Sequence, residues 1–219
     1  MGGLMSGNLH IDWASSKAVT YACKNYHYSK CVPQGKSVKL GVWENKKFIG
    51  IVLFSRGASP FLFKKYGLNQ KQGCELTRIA LSKHEAPVSK IVSICVKKLK
   101  KFLPDLQLIL SYADPMQNHH GGIYQASNWI YVGKTESNRF YIINGKRTHS
   151  RTIGDLKEVI YRPQEMSTIE ALRKYKDPNA QVFNDEGKHK YLYPLNETMN
   201  DKLRGLAKPY PKRYNGHAG

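Results

Sequence analysis

Acidic side chains are scarce in this sequence. Sixteen Asp and Glu stand against 35 Lys and Arg in 219 residues, a formal net charge of +19. Unless the charge makes a ribosome-like or merely solubilising surface, the field of such a chain draws polyanions. Nucleic acid leads among these, because each phosphate neutralised releases condensed counterions. Cysteine is sparse too. Cys23, Cys31, Cys74 and Cys95 make no C-x-x-C pair and no secreted framework, which excludes a disulfide scaffold. Cys74 and Cys95 sit in apolar patterns and read as small buried hydrophobes. No apolar run approaches the roughly 18 residues needed to cross a bilayer, and no basic helix carries the broad aromatic face of a membrane-surface binder. The segment Met1–Gly7 lacks the basic flank and apolar stretch of a signal peptide. The expected location is cytoplasmic.

What is present is an alternation of helical and extended patterns that predicts a mixed α/β fold. Residues 8–22 read as a helix on a loose stripe of Ile11, Trp13, Ala14, Ala18, Val19 and Ala22. Val38–Glu44 and Lys47–Ser55 read as a hairpin about Asn45-Lys46, and a loop with a helical turn near Phe61–Tyr66 follows. Glu75–Leu81 is a predicted strand. Ala86–Phe102 is the plainest helix, with Val88, Ile91, Val92, Cys95, Val96, Leu99 and Phe102 at helical spacing and Pro87 in its first turn. Leu106–Tyr112 reads as a buried strand, which makes a crossover unit with Glu75–Leu81 and the intervening helix. Gly122–Trp129 is predicted as a short helix, Tyr131–Lys134 and Phe140–Ile143 as strands, and 165–175 as a modest helix. From Asp177 on, cations interleave with rings, notably over 188–194 and 208–214. That pattern suits phosphate contact with base stacking, or else a strand and tail packed on the core. The expected phosphate contacts are Lys188, Lys190, Lys208, Lys212 and Arg213. Residues 1–162 are expected to form the catalytic domain and 163–219 a basic, Tyr/Pro-rich extension packing on it.

Several side chains carry potential chemistry. The turn into the plain helix, from Leu81 and Lys83 through Pro87, Val88, Ser89 and Lys90, has the free N–H groups and positive charge that hold phosphates; Ser89 could instead cap the helix. Arg78 lies in an otherwise apolar strand, so it needs an anionic partner, in Glu75, Asp114 or a substrate. His119 and His120 precede Gly121-Gly122, where backbone can approach a ligand closely; adjacent histidines point apart, so one of them at most reaches a site.

Tyr124, four residues before Asn128-Trp129, resembles the Tyr-x-x-x-Gly-Phe segment of the GNAT acyltransferases. That resemblance implies a mixed central sheet flanked by helices, an acetyl- or other acyl-coenzyme A donor at the strand–helix junction, and a catalytic tyrosine. The sequence departs from it in lacking the Gly-rich pyrophosphate loop, for which His84-Glu85-Ala86-Pro87-Val88-Ser89 stands. A closer resemblance is to the Mom family. It is carried by His27-Tyr28-Ser29-Lys30, Gly41-Val42-Trp43-Glu44, Cys74–Leu81, Ala86-Pro87-Val88-Ser89, Ser111-Tyr112-Ala113-Asp114 and the distinctive His119-His120-Gly121-Gly122-Ile123-Tyr124-Gln125-Ala126, together spanning about Ala22 to Arg213. This resemblance implies conversion of adenine in phage double-stranded DNA, within a bacterial host cell, to an N6-carbamoylmethyl form that blocks restriction. It implies iron held by His27, Tyr28 and Asp114, and catalytic roles for Tyr124, Arg78 and His120. The adenine amine sits inside the duplex, so the base should be extruded, with Tyr26, Tyr66 and Tyr112 as candidate stacking rings. The rival readings are a conventional acyl-coenzyme A N-acetyltransferase and a non-catalytic DNA-binding protein on the same fold.

Overall fold

The computed structural model describes residues 8–57 and 59–212; the expected phosphate contact at Arg213 lies outside the described residues. The chain divides into two compact units, one of Met1–Ala113, His120–Gly133 and Lys190–Gly219, the other of Asp114–His119 and Lys134–His189. This division does not follow the expected boundary at residue 162. The chain leaves the first unit after Gly133 and comes back at Lys190 to complete its sheet.

In the first unit seven strands hydrogen-bond in the order β1 (Leu9–Trp13), β2 (Ser37–Glu44), β3 (Lys47–Ser55), β4 (Gly73–Leu81), β5 (Leu108–Ala113), β10 (His189–Pro194) and β6 (Ile130–Lys134). The β2–β3 hairpin turns on Asn45 and Lys46, both at positive φ (51° and 64°), the mirror-image turn that matches strand twist. The predicted helix over 8–22 is instead β1 followed by α1 (Ser16–Tyr26). Five residues from Leu9 to Trp13 satisfy the two-residue period as well as the helical one. The break is set by Ser15, whose side chain caps α1 at the Ala18 N–H, 3.2 Å away.

The helix α2 (Val88–Phe102) buries Ile91, Val92, Cys95, Val96 and Leu99 against one face of the sheet, each worth about 1.5–3 kcal/mol as an upper bound. It forms the crossover between β4 and β5, which pair in parallel as expected. The opposite face is covered by α1 through Val19, Ala22 and Cys23. Beside them the 3₁₀ turn Lys64–Tyr66 and α7 (Glu197–Arg204) lay Phe63, Tyr66, Met199 and Leu203 over Leu108, Leu110 and Leu192. The short helix α3 (Gly122–Gln125) stops sooner than predicted because Asn128 takes a left-handed φ of 57° and Trp129 N–H turns back to the Tyr124 carbonyl at 3.0 Å.

The second unit is a three-stranded antiparallel sheet, β8 (Lys146–His149), β7 (Arg139–Ile143) and β9 (Gln181–Asn184). Tyr141 and Ile143 pack on Ile153, Val159 and Leu172 from α4 (Ser150–Gly154), α5 (Lys157–Ile160) and α6 (Thr168–Tyr175). Charge divides unequally. Of the 35 Lys and Arg, 24 belong to the first unit and 11 to the second; of the 16 Asp and Glu, 7 and 9.

Candidate active site

β4 and β5 are paired only from Gly73–Leu76 and Leu108–Ser111, although β4 continues to Leu81 and β5 to Ala113. Past Leu76 and Ser111 the strands part. Ser111 Oγ donates to the Leu76 carbonyl at 2.8 Å, which commits its only proton, so the Tyr124 hydroxyl 2.7 Å away is the donor to Ser111. The Tyr124 ring is held between Trp129 and Tyr191, with centroids 4.9 and 5.0 Å away. Burial pushes its phenol up to about 12, so it keeps its proton at neutral pH.

Arg78 lies on the part of β4 that runs past the parting point. Its Nη1 is 2.5 Å from His27 Nδ1 and donates to Ser29 Oγ at 2.6 Å. These partners, rather than a carboxylate, occupy the guanidinium. Its buried Nε has no hydrogen-bond partner among the described residues, an unpaid desolvation that a substrate oxygen would relieve. His27 terminates α1, and its Nδ1 also accepts the Ser29 N–H at 3.1 Å. Tyr28 is exposed and its ring stacks on His27 at 4.1 Å. Tyr28 and Glu75 both help to raise the Tyr124 phenol, which puts both within electrostatic range of the gap.

Glu75 also raises the Tyr112 phenol, itself pushed to about 12 chiefly by burial. The buried Lys190 on β10 lies 5.4 Å from the Tyr66 ring and 6.0 Å from that of Tyr112. Burial, and after it the adjoining Lys65, bring Lys190 down from 10.5 to about 7, with Glu75 opposing. Ser29, Ser111 and Glu75 were not among the expected catalytic residues. A lone hydroxyl inside Leu-Ile-Leu-Ser-Tyr-Ala was the available signal for Ser111.

A sequence model described as the Mom protein family matches residues 8–212. The chain belongs to that family. The Methylcarbamoylase mom of Escherichia phage Mu is 24% identical over 218 residues, covering 96% of this chain and 86% of that protein. Among solved structures, that of the AHL synthase LasI aligns with 94% of this chain and 100% of its own at 9% identity and a TM-score of 0.43.

The other expected residues of this Mom family member are distributed as follows. His120 enters α3 with its ring folded against Gly122 and its carbonyl taken by Tyr191 Oη at 2.5 Å. Lys190 does not present a cation to solvent, because β10 is an interior strand in which Lys190 is 8% and Tyr191 and Leu192 are 0% exposed. Tyr66 is likewise buried and offers no free stacking face. Lys188 faces Asp114 at 3.7 Å. Lys208 and Lys212 are exposed on a tail pinned to the core by Lys208 N–H to the Tyr131 carbonyl (2.8 Å) and Tyr210 Oη to the Trp129 carbonyl (2.8 Å).

The strand–helix junction expected to hold a diphosphate already holds a carboxylate. Buried Glu44 accepts the Glu85 and Ala86 N–H groups at 2.9 and 2.8 Å, and those bonds lower its pKa. α2 opens at Pro87 without a side-chain cap, so Ser89 does not cap it. A second anion at Glu85–Ala86 would meet Glu44, so these two N–H groups do not fit a coenzyme A diphosphate. Iron fares no better. Both nitrogens of His27 lie within 3.0 Å of the Arg78 guanidinium, and Asp114 accepts the Met116 N–H while facing Lys188. At His27 a metal ion would have to displace the Arg78 guanidinium, and at Asp114 it would meet the part-exposed Lys188; no three His, Cys, Asp or Glu gather to hold a metal among the described residues. His27 as it stands turns both ring nitrogens to Arg78 and not to a metal ion.

Proposed function

We propose that this chain is an enzyme that transfers a carbamoylmethyl group to the N6 amine of adenine in double-stranded DNA, shielding phage DNA from restriction. The observation that carries this reading is the parted β4–β5 edge, with a buried neutral phenol at its closed end and, on the stretch of β4 beyond it, an arginine carrying an unsatisfied N–H. Membership of the Mom family and the likeness to a phage protein named as a methylcarbamoylase support it, as does the excess of 24 cations over 7 acids in the unit that holds the gap.

In this reading the duplex lies on the cationic surface of the first unit, with Lys208 and Lys212 contacting phosphates. The target adenine leaves the stack, because N6 cannot be reached inside it. The Arg78 Nε–H binds the amide oxygen of the two-carbon unit and orients it. The proton released as the N6–carbon bond forms leaves to water, since His27 Nδ1 already accepts from Ser29 and faces the Arg78 guanidinium. Tyr124, protonated in the resting protein, gives up its hydrogen bond to Ser111 as the group departs and turns that proton to it. With Glu44 in the diphosphate position, the donor is not held in the manner of an acyl-coenzyme A. Expression in bacteria, digestion of the DNA and mass spectrometry of the nucleosides test the reading: a deoxyadenosine heavier by a carbamoylmethyl group is expected. Unmodified deoxyadenosine beside soluble, DNA-binding protein would overturn the enzyme and leave a non-catalytic DNA binder.

A further inference from the structure

The loop between β3 and β4 carries a feature that neither the core nor the proposed chemistry uses. Phe61 is 71% exposed, although the residues after it are anchored. Leu62 lies against Gly57 beside the Glu75 carboxylate, and Phe63 is fully buried on Gly73. The tip is stiff as well. Phe61 N–H donates to Ser59 Oγ at 3.2 Å, Leu62 N–H to the Ser59 carbonyl at 3.2 Å, and Lys64 N–H to the Phe61 carbonyl at 3.0 Å. Lys64 Nζ stands 6.0 Å from the ring centroid, and Arg56 and Lys65 on the same loop are exposed. A bare ring on a loop that also carries exposed cations is ill suited to water. It does match a base stack flanked by phosphates, in which inserted apolar side chains unstack neighbouring bases.

We infer that Phe61 is the wedge that enters the DNA stack as the target adenine leaves it. The inference rests on the proposed adenine chemistry, since an extruded base needs something to fill or force its place. Its mount next to Glu75 puts the wedge on the face of the sheet that also carries Tyr112 and Lys190.

The test separates opening of the duplex from the chemistry. Permanganate oxidises unstacked thymines, so wild-type protein on plasmid DNA should create reactive thymines opposite extruded adenines. Phe61→Ala should abolish that pattern and cut modified deoxyadenosine in cells by about tenfold or more, while DNA affinity in filter binding changes little. Phe61→Leu and Phe61→Trp should restore both. Phe61→Ala with a wild-type thymine pattern, or wild-type protein that modifies adenine without exposing any thymine, would overturn the wedge. So would loss of binding to anionic phospholipid vesicles with an unchanged thymine pattern, which would assign the ring to a lipid surface. Reactive thymines that require Phe61 but arise without any modified nucleoside would sink the adenine chemistry alone and leave the wedge standing.

Discussion

The Ser111 hydroxyl joins two strands and a helix at one point, giving its proton to the Leu76 carbonyl and receiving that of Tyr124. These bonds fix the phenol in place, while burial keeps it neutral against the lowering effect of Ser111. Tyr124→Phe should lower modification by about 100-fold or more while costing only about 0.5–1.5 kcal/mol in stability. With its value raised to about 12, wild-type activity should not fall through the range near 10.0 where an ordinary tyrosine ionises. Wild-type levels of modified nucleoside from Tyr124→Phe would reduce the residue to a core tyrosine.

Lys190 makes a prediction about stability. Its folded value of about 7 is below the 10.5 of an unstrained lysine, so between those limits the unfolded chain holds a proton that the folded chain lacks. Wild-type stability must then fall as pH drops from 10.5 towards 7. Lys190→Met should raise the melting temperature at pH 7, by about 2–4 °C for each kcal/mol recovered, and the gain should shrink as pH rises. A gain that grew with pH, or none at all, would show that Lys190 is solvated.

Glu44 should behave as an internal anion. Glu44→Ala strands the buried Ala86 N–H and leaves the part-exposed Glu85 N–H to water, and should destabilise the protein by about 1–3 kcal/mol. Because the folded pKa is depressed, the wild-type advantage should hold above 4.5 and disappear as pH falls through the lowered value. Coenzyme A should give no thermal shift to the wild-type protein; a clear shift would mean that a diphosphate displaces the carboxylate.

The exposed tail cations give a prediction about salt. Lys208→Glu with Lys212→Glu should weaken DNA binding and lower the slope of log affinity against log salt by about 0.9 for each phosphate no longer neutralised. An unchanged slope would assign the tail to packing on Trp129 and Tyr131.

Local signals in the sequence were sufficient where local physics decides the structure. The β2–β3 hairpin follows from alternation around Asn45-Lys46, and α2 from its apolar stripe. They failed for β1, whose five residues fit either period, and for β10, whose Lys and Tyr residues look like a surface strand when only composition is read. Nothing in the local sequence says that Lys190 will be walled in by Tyr66 and Tyr112. For the site, Arg78 stood out as a charge in an apolar strand, and Tyr124 through its resemblance to the GNAT tyrosine segment. Their partners His27, Ser29 and Ser111 are chosen by tertiary approach, as is the Glu44 contact with residues 85 and 86.

The central place of β10 has a consequence for synthesis. Its six residues close the row between β5 and β6, so a ribosome that has made only the first 188 residues has made a protein with two raw edges. Tyr191, one of the two walls around the Tyr124 ring, arrives with that last insertion. A nascent or truncated chain thus has no seated phenol, and competence to alter DNA is acquired only once the returning strand has been threaded home.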